Sequence, residues 1–101
     1  MITVSLLTNR PEFQNDIAEV IRAYLGFLEI ALQEEESAAF QLRVDVHAGK
    51  QSSWAHAKIL QAGRTVSACK HPVKGNSEQA LIIKREEKRA VKIAVFRALR
   101  S

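Results

Sequence analysis

Apolar and polar residues alternate along "ITVSLL", where Thr3 and Ser5 separate Ile2, Val4 and Leu6. That period of two predicts a half-buried strand. "TNRPEF" interrupts it. Thr8 or Asn9 stands where a helix cap is needed, and Pro11 suits the first helical turn, where its missing N–H would lack a partner anyway. Phe13, Ile17, Val20, Ile21, Tyr24 and Leu28 then recur at steps of three and four, which lays them on one face of an amphipathic helix. Gly26 marks its end. "LEIAL" predicts a short second strand, and the acidic run Glu34–Glu36 reads as a solvated turn.

The clearest alternation is "FQLRVDVHAG". Phe40, Leu42, Val44 and Val46 face a core, while Gln41, Arg43, Asp45 and His47 face water or a partner. "AGKQSS" signals a turn into "WAHAKIL", with Ala55, Ala57 and Ile59 inward, and "QAGRT" turns again into "TVSACK". Connections this short predict an antiparallel meander. "HPVKGNSEQ" breaks the pattern, with Asn76 and Gln79 at capping-box spacing before the last helix.

At 100° per residue, Ile83, Ala90, Val91, Ala94, Val95, Ala98 and Leu99 share one half of that helix and form its core side. Arg85, Lys88, Arg89, Lys92 and Arg100 fill an adjoining stripe. Ile93 and Phe96 are out of place, because they project into the polar half. The element order β-α-β-β-β-β-α predicts an α+β fold: an antiparallel sheet with two helices on one face, in a single domain over residues 1–101.

Composition narrows the classes. Single Cys69 excludes an internal disulfide and any multi-cysteine metal or cluster site within the chain, and points to a cytoplasmic, reducing setting. No apolar run approaches the roughly 18 residues of a membrane span, so no membrane partner is expected. The net charge is +4, and residues 84–101 carry seven basic and two acidic side chains, leaving the rest near neutral.

Catalytic signals are weak. His47 and His56 share a sheet face if "GKQS" is the hairpin turn, with Asp45 near His56, but nothing else supplies a second shell for a metal. Cys69 on a strand reads as a structural thiol. Gly49, Gly63 and Gly75 stand alone rather than in a phosphate loop, and Ser52 and Ser53 lack a nucleophile-elbow setting. Trp54 is either core or an outward docking anchor. The chain by itself is not expected to be an enzyme.

A meander followed by a basic, alanine-rich helix resembles the double-stranded-RNA-binding domain, which would make Lys84, Arg85, Lys88, Arg89 and Lys92 phosphate contacts. Against this stand the missing Gly-Pro-x-His turn, the additional leading strand, and Glu86 and Glu87 among the proposed contacts. The combination of opening strand, helix, meander and terminal "KRAVKIAVFRALRS" resembles instead the amino-terminal region of oxygen-independent coproporphyrinogen III oxidase-like radical SAM proteins, the coproporphyrinogen dehydrogenase branch. Lys88, Arg89, Lys92, Phe96 and Leu99 match that family's pattern of lysine-arginine, lysine, aromatic and leucine. The resemblance would span the whole chain, but its specific part is this last helix.

The resemblance implies a non-catalytic accessory domain of a porphyrin- and haem-biosynthesis oxidoreductase. Its partner would be a C-terminal radical SAM barrel of the same chain, whose CxxxCxxC motif holds a 4Fe–4S cluster that cleaves S-adenosylmethionine. No cofactor is expected on these 101 residues, and Ser101 reads as a cut before that barrel. Ile93 and Phe96, with Lys88, Arg89 and Lys92, would form the docking surface. A homodimer through the uncovered surface is the other association expected.

Overall fold

The computed structural model describes residues 1–75 and 80–101. Strands β1 (Thr3–Thr8), β2 (Glu29–Ala31), β3 (Phe40–Ala48), β4 (Ser53–Gln61) and β5 (Arg64–Pro72) form one sheet in the order β2-β1-β3-β4-β5. A single 3-10 turn, Pro11–Phe13, leads into helix α1 (Gln14–Leu25), and helix α2 (Ala80–Arg100) closes the fold. The class is α+β, as the patterning predicts.

The sheet is mixed rather than antiparallel. β1 pairs in parallel with both β2 and β3, and only β3-β4-β5 is the expected meander. The cause is the connections. α1 carries the chain back along the sheet, so β2 enters in the direction of β1. The segment from Leu32 to Ala39 then crosses β1 to start β3 on its other side. Ser5 Oγ holds this strap, donating to Gln33 O at 2.7 Å and accepting from Glu35 N–H at 2.9 Å. Ser5 is thereby buried although it lies on the face opposite Val4 and Leu6.

Neither expected cap forms at the first helix. The cap position is Arg10, without a side-chain cap bond. Thr8 Oγ1 instead accepts from Arg10 N–H, while Asn9 Oδ1 accepts from Val46 N–H at 2.8 Å and Asn9 Nδ2 donates to Val46 O at 2.9 Å. The Asn9 side chain thus acts as one further rung between β1 and β3. α1 ends at Gly26, whose N–H reaches Arg22 O. The proposed capping pair Asn76 and Gln79 lies outside the described residues.

Both hairpins have local causes. Gly49 donates to Ser52 O across the first, and a Cβ on Gly49 would lie 2.5 Å from that oxygen, so no other residue fits. In the second, Ala62 and Gly63 both take positive φ, 51° and 76°, as a type I′ turn requires.

The core lies on one face of the sheet. Val4, Leu6, Leu42, Val44, Val46, Ala55, Ala57 and Ile59 meet Phe13, Ile17 and Ile21 from the α1 side and Ala90, Val91, Ala94, Val95 and Ala98 from α2. The α2 backbone approaches β4, β5 and β3 closely, whereas close backbone approaches of α1 are chiefly to α2. Alanines on both sides explain this seating: Ala55 and Ala57 of β4, and Ala90, Ala94 and Ala98 of α2, are all essentially inaccessible.

Two expected core residues are open. Ile83 is 39% exposed, because the buried stripe of α2 begins only at Glu87. Tyr24 is 46% exposed at the outer edge of α1. Glu87 itself is buried and accepts from Arg10 at 3.2 Å, while Lys84 donates to Glu12 at 2.7 Å. These pairs tie the entry to α1 onto α2.

Ala94→Leu tests the close seating of α2. The added atoms have no cavity to enter, so urea unfolding is expected to show a loss of about 1–3 kcal/mol or more. Ala23→Leu, on the exposed side of α1, is expected to stay within about 0.5 kcal/mol of the parent chain.

Candidate functional site

A groove of about 370 Å³ runs along the outer seam between the helices. Val20, Ala23 and Tyr24 form one wall at steps of three and one, and Ile93 and Phe96 form the other. Glu19 and Lys92 sit at its rim. The lining is almost wholly apolar yet open. The Tyr24 and Phe96 rings meet edge to face with centroids 6.4 Å apart, and the Arg100 guanidinium lies 5.2 Å from the Phe96 centroid.

Phe96 is 42% exposed and Ile93 half-buried, so neither is sealed within the core. Lys92 joins them at the groove, whereas Lys88 and Arg89 are exposed elsewhere along α2. Lys84, first in the basic run, is held by Glu12, and Glu87 is turned inward to Arg10. The stripe of Arg85, Lys88, Arg89 and Lys92 has no acidic partner among the described residues.

The sequence pattern assigns Val20 and Tyr24 to the same buried face as Ile17 and Ile21. The missed signal is their angular offset: Val20 and Tyr24 sit at the margin of the stripe, next to Ala23. A second helix leaves that margin uncovered when it is seated deep on the sheet.

The opposite, helix-free face of the sheet carries a polar set. Arg43 lies directly across from Lys58, Asp45 from His56 and His47 from Trp54, with Lys70 next to His56 on β5. Trp54 therefore points outward. His47 stacks on its indole at 5.3 Å, and Lys70 Nζ lies 4.2 Å from the ring centroid. Among the described residues, no group of three His, Cys, Asp or Glu side chains is placed to hold a metal ion. Cys69, half-buried, packs against the core edge. No helix among the described residues is long and apolar enough to cross a membrane.

His71 faces α2 rather than this open surface. Arg97 Nη1 donates toward His71 Nδ1 at 3.3 Å, a contact that needs the unprotonated ring nitrogen. Burial, then the nearby cations Arg97, Lys74 and Arg89, lower the His71 pKa below 6.5. Burial, then Lys58, Lys70 and His47, lower that of His56.

Both imidazoles thus bind protons more weakly folded than unfolded. Their contribution to stability is complete above pH 6.5 and is lost as pH falls through the lowered folded values. The thermal midpoint is expected to drop between about pH 7 and about pH 5, and His71→Gln is expected to flatten that slope. Glu12, held below 4.5 first by its hydrogen bond from Lys84, enters only at lower pH. An unchanged slope in the variant would contradict the assignment.

No protein-family model and no curated protein matches the chain, so its function is argued from these surfaces.

Proposed function

We propose that the chain is the non-catalytic amino-terminal domain of an oxygen-independent coproporphyrinogen III oxidase-like radical SAM enzyme of porphyrin biosynthesis. In this reading the groove between α1 and α2 docks on the catalytic barrel. The supporting observation is the exposed Phe96 beside Ile93, in a groove that Val20, Ala23 and Tyr24 complete. Contiguous apolar surface rimmed by charge is the usual mark of an interaction site. The motif-bearing positions of α2 supply both parts: Phe96 supplies apolar area, and Lys92 a charged rim.

The role is architectural. α2 is rigidly seated on β4 and β5, so a barrel held in the groove would take a fixed position relative to the sheet. The 4Fe–4S cluster and S-adenosylmethionine belong to the barrel, which would carry the oxidation.

Ile93→Ser with Phe96→Ser separates docking from folding. In the 101-residue chain the double variant is expected to unfold within about 1 kcal/mol of the parent, because both side chains are partly solvated already. In a chain that also carries the barrel, the same change is expected to lower the unfolding midpoint and raise protease cleavage between the domains. Equal loss in both chains would refute docking. The coding sequence following Ser101 is expected to encode a CxxxCxxC motif, and a stop codon there would remove the enzyme assignment.

A further inference from the structure

The helix-free face carries two groups of charge that no ion pair neutralises among the described residues. The ion pairs found among the described residues, Arg10–Glu87 and Lys84–Glu12, join the entry of α1 to α2 on the other side of the sheet. On the open face, Arg43 and Lys58 occupy directly opposed positions of β3 and β4, and Lys70 follows one step on. Like charges so placed destabilise a strand pair unless an anion covers them. Glu34, Glu35 and Glu36 stand together on the strap that crosses this same face of β1. Ser5 fixes the strap there through Gln33 and Glu35. The acidic run borders Gln41 and Leu60, at the end of the face where β3 begins. Lys70 and Trp54 lie toward the other end.

We propose that this face associates with the same face of a second copy. A two-fold axis lying in the plane of the contact, across the acid-to-base direction, sets Glu34–Glu36 of each copy against Arg43, Lys58 and Lys70 of the other. Each unneutralised group then completes its counterpart, twice per dimer, as a self-complementary contact requires. Leu32, 56% exposed, and half-buried Leu7, Leu60 and Trp54 supply apolar area between the charges.

The size fits a reversible contact. Nine-residue strands spaced about 4.8 Å apart give a face on the order of 600 Å² per copy, at the low end for specific interfaces. Nucleic acid fits less well. His47 and Lys70 already lie against the Trp54 ring, where a base would have to stack. This association does not depend on the docking role proposed for the groove, which lies on the other side of the sheet.

Sedimentation equilibrium of the 101-residue chain tests the idea. At low salt a monomer–dimer equilibrium near roughly 100 μM is expected, weakening about tenfold or more at 0.5 M salt. Lys58→Glu with Lys70→Glu is expected to abolish the dimer, as is Glu34→Lys with Glu36→Lys. Mixing these two variants is expected to restore it, because every reversed contact again meets its opposite. Circular dichroism of each variant checks that the fold is kept, and a variant that unfolds is replaced by the neutral changes Lys58→Gln and Glu36→Gln, expected to weaken the dimer in part. A wild-type chain that stays monomeric at roughly 1 mM, or variants that dimerise like the parent, would overturn the proposal. So would a monomer whose Trp54 fluorescence responds to an oligouridylate probe in a salt-dependent way, since that would make the face a nucleic-acid surface.

Discussion

The close seating of α2 on β4 governs the rest of the fold. Ala55 and Ala57 keep the β4 side low, and Ala90, Ala94 and Ala98 stand beside Val91 and Val95 on the buried half of α2. With both surfaces trimmed, the helix backbone comes down on the strands. α1 carries larger buried groups, Phe13, Ile17 and Ile21, and stands farther off. The outer seam between the two helices stays open. The groove beside Phe96 lies in that seam, with exposed Tyr24 on its wall.

The parallel half of the sheet follows from a second constraint. β2 and β3 flank β1 and run with it, so the chain must cross β1 on its way from one to the other. α1 passes over the core face, and the strap passes over the open face. The two connections step in opposite directions across the sheet, so using opposite faces gives both crossovers one hand, as twisted strands require. Burial of Ser5 is a consequence of this route, and its hydroxyl meets two backbone groups of the strap, Gln33 O and Glu35 N–H.

Much of this was legible in the residues themselves. Alternation placed β3 and β4 and named their inward side chains, because a period of two maps directly onto burial, and the turn signals placed β5 after them. The core half of α2 was legible from Ala90 to Leu99 for the same reason at a period of 3.6. Strand direction was not, since alternation is identical in parallel and antiparallel pairs. Trp54 shows information present but unused: the "GKQS" turn that sets His56 opposite Asp45 also sets Trp54 opposite His47, and hence outward. Glu87 shows information absent. A carboxylate in a run of lysines and arginines reads as solvated, and only its distant partner Arg10, 77 residues away in sequence, explains its burial.

That pairing also changes what the basic end of the chain can do. Seven cations on residues 84–101 suggest a polyanion grip when counted. In place, Lys84 is committed to Glu12, Lys92 rims an apolar groove, Arg97 faces His71 and Arg100 lies over Phe96. Of the seven, only Lys84 has an acidic partner among the described residues, and Arg85, Lys88, Arg89 and Lys92 follow one another at steps of three and four along α2. A second set of unneutralised cations, Arg43 and Lys58, lies side by side on the sheet, in a stretch whose sequence looks electrostatically ordinary. That second set is made by which strand faces which, and a count along the chain does not find it. The two surfaces therefore differ in physical kind. Contact through the groove would rest on buried apolar area and respond weakly to salt, whereas contact through the open face would rest on charge register and respond strongly.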